Sequence, residues 1–457
     1  MATIFEPYRI KTVEPIYITT KEDRERSLKD VGFNPFLLRA NQVTIDLLTD
    51  SGNGAMSCHQ WGAIMTGDES YAGAESFYKF ESTVRKITGF PLILPVHQGR
   101  AAESILFDCL LGNADIAFSN GFFDTTRAHV EKNKVKAVDI NDAEGAADFK
   151  GNIDCTKLDE ILSNNDQKVG VVVMTITNNV KGGCPVSLDN IRKAAIICRK
   201  YKVPFYADAC RFAENAWFIK TREEGYGKKT PAEIAIEMFT EFDGCIMSAK
   251  KDGIANIGGF LATRDKDLFE KCSHRCILNE GFITYGGLSG RDMEAIAVGL
   301  TEALDEMYLQ HRIEMIKEFG RMLEARGVHI LEPGGHAVFV DAAKTLSHLP
   351  RHEYPGWTLI CALYIEGGIR SGEVGNIMFG YRDPGGKEIF PTRDLVRLAI
   401  PRRVYTLSHL RYVADIFGKI VEKKNDIKGM AIVKSSSYLR HFTIIMKPIE
   451  DNDCQRN

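Results

Sequence analysis

The stretch GCIMSAKKDG, residues 244–253, sets an apolar, strand-like run before two adjacent lysines, and the apolar, glycine-bearing Ile257-Gly258-Gly259-Phe260 follows shortly after. Two readings compete. A solvated turn between two strands is an ordinary place for lysines. If instead an ammonium is buried there, desolvation and a like-charged neighbour lower its pKa and make a neutral, nucleophilic amine available.

Working outward, Leu92 to Leu94, Val171 to Ile176, Val203 to Ala207 and Gly244 to Met247 read as short buried strands. Between them, NIRKAAIICRKY from Asn190 and PAEIAIEMFTEF from Pro231 have helical spacing, the second with proline in a first-turn position. Strands alternating with helices predict an α/β fold with a large, mostly parallel sheet. From about residue 290 the pattern changes. A single long helical stretch is expected from Asp292 to Gly327, leading into a smaller α+β domain marked by the turn signals EPGGHAVFVD and RDPGG. The expected division is an arm over 1–18, the first part of the small domain and a link over 19–56, the large domain over 57–310 and the rest of the small domain over 311–457.

At 457 residues, 44% hydrophobic and 26% charged, the chain has the composition of a soluble globular protein of two or three domains. A net charge of −3 gives no field that favours nucleic acid or an anionic membrane as partner. Apolar runs such as Val169 to Met174 are too short to span a bilayer. Glu6, Arg9, Lys11 and Glu14 stand where a signal peptide needs apolar residues, so a cytoplasmic protein is expected. Eleven cysteines without a regular framework read as reduced thiols. Cys272, His274 and Cys276 in KCSHRC have no second Cys/His pair at finger-like spacing, and incidental thiols are the preferred reading.

In open parallel sheets, ligands collect beyond the carboxyl ends of the strands. The residues just after the four predicted strands are Pro95-Val96-His97-Gln98-Gly99-Arg100, Thr177-Asn178-Asn179, Asp208-Ala209-Cys210-Arg211, and Ser248 with the lysine pair. Gly99 and Arg100, opening a helical run, have the makings of an anion site. A lysine, an acid, an amide, an aromatic platform and a phosphate cradle at one sheet edge are what pyridoxal phosphate demands. The lysine joins the aldehyde, and Asp208 is placed to keep the pyridine nitrogen protonated. Phe123, in SNGFFDTTR, is a candidate to stack on the ring.

Longer motifs carry a resemblance over essentially the whole chain. They are EPYRIKTVEPI, FLLRANQVTIDLLTDSG, GDESYAG, HQGRAAE, DACRFAENAWFIK, MSAKKDGIANIGGF, TYGGLSGRDMEAIAVGL, RLAIPRRVYT and LRHFT. In these the chain resembles the β-eliminating lyases of the aspartate-aminotransferase-like fold (fold type I), the family of the tryptophan and tyrosine lyases. The resemblance implies Lys251 as the cofactor-bound lysine, Asp208 on the pyridine nitrogen and Arg211 near the ring 3-oxygen. It implies Gln98, Gly99, Arg100 and Ser248 on the phosphate, Phe123 against the ring and Lys250 keeping charge nearby. Arg402 would hold the substrate carboxylate, with Thr49, Ser51 and Asn179 beside it. A potassium ion would be held by Glu69 with the carbonyls of Gly52 and Asn256. Tyr71 would supply or organise the acid that protonates the leaving carbon, in a homotetramer with active sites at dimer interfaces.

Three positions separate the two lyases. The resemblance gives the tyrosine enzymes an arginine in the motif that reads GIRSGEVG here, where this chain has Val374, an apolar wall suited to indole. Asp124 and His441 likewise match the tryptophan-cleaving pattern, where the tyrosine enzymes have threonine and phenylalanine. The implied reaction is β-elimination of L-tryptophan to indole, pyruvate and ammonium. Departures from the family pattern are Asn53, Val96, Lys181, Cys184 and Cys210, all near presumed cofactor or substrate groups.

Overall fold

The computed structural model describes residues 5–142, 148–164, 167–383, 385–436 and 439–450. The chain divides into two compact units. One comprises residues 51–313 with 402–404, the other residues 1–50, 314–401 and 405–457.

The first unit is built on a seven-stranded sheet: β1 (Leu92–Val96), β2 (Ile116–Ser119), β3 (Lys136–Asp139), β4 (Val169–Thr175), β5 (Phe205–Asp208), β6 (Gly244–Ser248) and β7 (Gly259–Thr263). Its order is β1-β7-β6-β5-β4-β2-β3. All neighbours are parallel except the pairs that β7 makes with β1 and β6. Strands β5, β6 and β7 are buried at every residue, as a sheet covered on both faces requires. Because β1 runs antiparallel to β7, and β7 to β6, β1 points the same way as β6. The carboxyl ends of β1, β4, β5 and β6 therefore lie on one edge.

The two readings of GCIMSAKKDG are both correct in part. The lysine pair does lie in the connection between two antiparallel neighbours, β6 and β7, but each lysine is only partly exposed and borders a cavity. The expected long helix is two helices, Gly290–Glu302 and Glu306–Glu324. Asp305 interrupts it, its carboxylate accepting from the amide of Tyr308 at 2.8 Å as a helix-starting cap does.

The second unit holds a four-stranded sheet in the order Ile45–Leu47, Ile369–Val374, Leu395–Ala399, Ala337–Asp341. The first pair is parallel and the rest antiparallel. Trp357, Ile360 and Tyr364 on the helix Pro355–Gly367 are buried with Ile369, Val396 and Phe417 in its core.

Candidate active site

The strand ends of the first unit border a partly open cavity lined among others by Ser51, Gln98, Gly99, Arg100, Phe123, Asn179, Asp208, Arg211, Ser248, Lys250 and Lys251. Each is there for a local reason. Asp208 ends β5 and Ser248 ends β6, so sheet register fixes both. Arg211 precedes the helix Phe212–Arg222, its amide bonded to the carbonyl of Ile176 at 3.2 Å. Phe123 stands at the start of the helix Asp124–Lys132. The amide of Gly52 donates to the carbonyl of Lys250 at 2.8 Å, which brings Ser51 to the lysine turn.

Gln98 is the N-cap of the helix Gly99–Leu110, and Gln98, Gly99 and Arg100 all line the cavity, which brings a helix amino terminus and a cation to its wall. A Cβ at Gly99 would lie 2.6 Å from Cβ of Ser248, so only glycine lets the two elements approach this closely. Two buried polar atoms of lining residues, Oε2 of Glu103 and Oγ1 of Thr177, have no hydrogen-bond partner among the described residues. An amine, a buried acid, an anion cradle and an aromatic ring around one cavity are the donor set that pyridoxal phosphate fits.

The electrostatics refine the opening question. The pKa of Lys250 is lowered, by desolvation first and then by the positive charges of Lys251 and Arg100. Two lining residues gained from the structure are Glu103 and Cys210 as a partner of Lys251. Glu103 is buried, accepts from Thr126 at 2.9 Å, and is pushed up to about 7 by burial and then by the charge of Asp208. Its sequence signal is a lone acid in the apolar run AAESILF, four residues after Gly99 on the same helix face. Sγ of Cys210 lies 3.8 Å from Nζ of Lys251 and accepts from the amide of Ser248 at 3.4 Å.

The other expected residues stand apart from this lining. Arg402 is buried, with Nη2 donating to Glu214 at 2.8 Å and to Asp252 at 2.7 Å. Asp124 adjoins two lining residues, Phe123 and Thr125, and accepts from the Thr125 amide at 2.7 Å. Tyr71 is 73% exposed and rests on Phe282 and Tyr285. Glu69 accepts from the amides of Gly290 and Arg291 at 3.1 and 3.4 Å, while the carbonyl of Gly52 accepts from the Asn256 side chain at 2.9 Å. Among the described residues no three His, Cys, Asp or Glu side chains converge to hold a metal ion. Thr49, Val374 and His441 belong to the second unit. There Val374 packs in an apolar cluster with Phe339 and Leu395, and His441 meets Phe36 edge-on at 5.7 Å.

Comparison with known proteins agrees with this geometry. A family profile described as Beta-eliminating lyase matches residues 46–416. The chain is 51% identical over 449 residues to the tryptophanase of Hyphomonas neptunium, covering 97% of this chain and 99% of that one. It is 46% identical over 456 residues to the tyrosine phenol-lyase of Intrasporangium calvum, covering 98% and 96%. The solved structure of Sphingomonas wittichii serine palmitoyltransferase, 12% identical, superposes with a TM-score of 0.60 over 89% of this chain and 97% of that one, which speaks to the fold. The fold is therefore fold type I, and the chain belongs to the β-eliminating lyase family of pyridoxal-phosphate-dependent enzymes.

Proposed function

We propose that the protein cleaves L-tryptophan by β-elimination to indole, pyruvate and ammonium. The observation that carries this reading is the full-length identity of about 50% to relatives named tryptophanase, from Hyphomonas neptunium at 51% and Salinibacter ruber at 50%. The sequence favours the same substrate: Val374 is an apolar residue suited to indole, and Asp124 and His441 match the tryptophan-cleaving pattern.

Pyridoxal phosphate, when bound, supplies a sink for the electron pair left as the α-proton departs. The remaining work falls to the chain. Gln98, Gly99, Arg100 and Ser248 would hold the phosphate, Phe123 would face the ring and Arg211 would bind its 3-oxygen. Asp208 keeps a proton on the ring nitrogen, and Lys250 keeps positive charge nearby. Lys251 would hold the cofactor's aldehyde carbon and would be the amine that takes the substrate α-proton. Arg402 holds the substrate carboxylate, with Thr49, Ser51 and Asn179 beside it. Tyr71 delivers the proton to indole C3, with Asp124 and His441 on the indole side.

The exposure of Tyr71 fits a homotetramer in which it serves a neighbouring subunit's cavity. Glu69, Gly52 and Asn256 are the proposed potassium ligands. No helix among the described residues is long and apolar enough to cross a membrane, in keeping with the cytoplasmic location we propose.

The test is steady-state pyruvate release from L-tryptophan and from L-tyrosine, with pyridoxal phosphate and potassium added and indole detected directly. Preference for tryptophan with indole formed is expected. Preference for tyrosine would overturn the substrate assignment and favour the reading suggested by the tyrosine phenol-lyase relatives.

A further inference from the structure

Arg402 carries two carboxylates on one nitrogen. Nη2 donates to Oε1 of Glu214 at 2.8 Å and to Oδ1 of Asp252 at 2.7 Å, and none of the three side chains is more than 2% exposed. A guanidinium offers a carboxylate two two-pronged edges, Nη1 with Nη2 and Nε with Nη2. Both edges use Nη2, whose two hydrogens are already committed. A substrate carboxylate therefore cannot dock in two-pronged fashion on Arg402 while both bonds stand.

The two acids are held independently of Arg402. Oε1 of Glu214 also accepts from Nε of Arg312 at 3.1 Å. Oδ2 of Asp252 accepts from the amides of Ala213 and Glu214 at 2.8 and 3.3 Å, capping the helix Phe212–Arg222. Either acid keeps a partner after leaving Nη2, so the exchange strands no bare buried charge. Asp252 also follows Lys251 directly, which ties the guanidinium to the lysine turn.

We propose that Glu214 and Asp252 are internal competitors for Arg402, and that an amino-acid substrate binds by displacing one of them from Nη2 with its own α-carboxylate. The proposal rests on the reading of Arg402 as the carboxylate-holding residue. It assigns two acids a part in substrate affinity: the resting protein never exposes a bare buried cation, and every substrate carboxylate meets the cost of the exchange.

The experiment uses the holoenzyme and L-alanine, which has the carboxylate but no leaving group, with binding followed by the visible absorbance of the bound cofactor. Glu214→Gln keeps an Oε1 acceptor for Arg312 but replaces the ion pair with Arg402 by a weaker bond from the guanidinium to a neutral carbonyl. The L-alanine dissociation constant is expected to fall by about fivefold or more, with ethylamine, which has no carboxylate, binding as in the parent. Asp252→Asn is expected to act in the same direction and serves if the first variant does not fold. Unchanged or weaker L-alanine binding in the folded variants would overturn the proposal, since the acids would then merely position the arginine. Failure of the underlying reading has a different signature: Arg402→Ala would keep its cofactor absorbance and still bind L-alanine as the parent does.

Discussion

Sγ of Cys210 lies 3.8 Å from Nζ of Lys251, which puts a thiol inside the lysine cavity. Burial, and then the charge of Asp208, push that thiol up to about 12, so it stays protonated at working pH and is a poor nucleophile. Cys109 is the opposite case. The hydrogen bond to Cys272 comes first among the causes that lower it to about 7, and Arg275 adds to the effect. At pH 8, iodoacetamide should therefore label Cys109 roughly tenfold faster than Cys210, as read by peptide mass spectrometry. Labelling of Cys210 ahead of Cys109 would contradict this account.

Gly99 is predicted to be irreplaceable at the proposed phosphate cradle. Its Cβ would sit 2.6 Å from Ser248 Cβ and 3.1 Å from the Ser248 backbone, so Gly99→Ala must push the helix start away from β6. Overpacking of this kind costs about 1–3 kcal/mol, and here it falls on the groups that would hold the phosphate. Cofactor affinity, titrated by visible absorbance, should weaken by about tenfold or more while far-UV circular dichroism stays unchanged. Full affinity in the variant would remove Gly99 from the cradle.

How far the sequence carried this depends on whether a feature is local. Strands β1, β4, β5 and β6 are continuous apolar runs and can be read directly. Strands β2 and β3, IAFS and KAVD, are four residues each and owe their place to neighbours far along the chain. The cavity residues that follow strand ends, Asp208, Ser248, Lys251 and Gln98 to Arg100, are legible for the same reason: local pattern fixes the strand and the strand fixes the edge. Glu103 is not, because nothing local says that a helix carboxyl is buried. Nor is the grip of Glu214 and Asp252 on Arg402, which joins residues 188 and 150 positions apart.

Glu103 predicts a pH dependence of stability. Its pKa is raised from 4.5 to about 7, so the folded state holds a proton that the unfolded chain has released. The associated stability is fully present below pH 4.5 and is lost as pH rises through 7. For a buried group the shift corresponds to roughly 3 kcal/mol. Glu103→Gln, neutral throughout, should flatten the urea midpoint of the cofactor-free protein between pH 5 and pH 8. Equal slopes in parent and variant would show that Glu103 is ionised in the folded protein.

A second acid pair gives the last prediction. In the second unit Glu373 and Asp394 are both buried, and the pKa of each is raised, by desolvation first, with the charge of Asp394 next in its effect on Glu373. Their remaining oxygens are well used. Glu373 accepts from the amides of Ile377 and Met378 at 2.9 and 3.0 Å, and Asp394 from those of Gly356 and Asn376 at 2.8 and 3.1 Å. The pair thus pins the turn after Val374 and the start of the helix Pro355–Gly367. With both values raised, the pair's contribution is complete below the ordinary carboxylate range and declines as pH rises through the raised values. Glu373→Gln replaces one acceptor oxygen by a donor, so about 1 kcal/mol of hydrogen bonding should be lost at pH 5. It also removes one of two charges that repel at alkaline pH, so the gap between variant and parent should close by pH 9. Midpoints of urea unfolding at the two pH values read this directly, and parallel curves would mean that the Glu373 carboxyl is not raised in the folded protein.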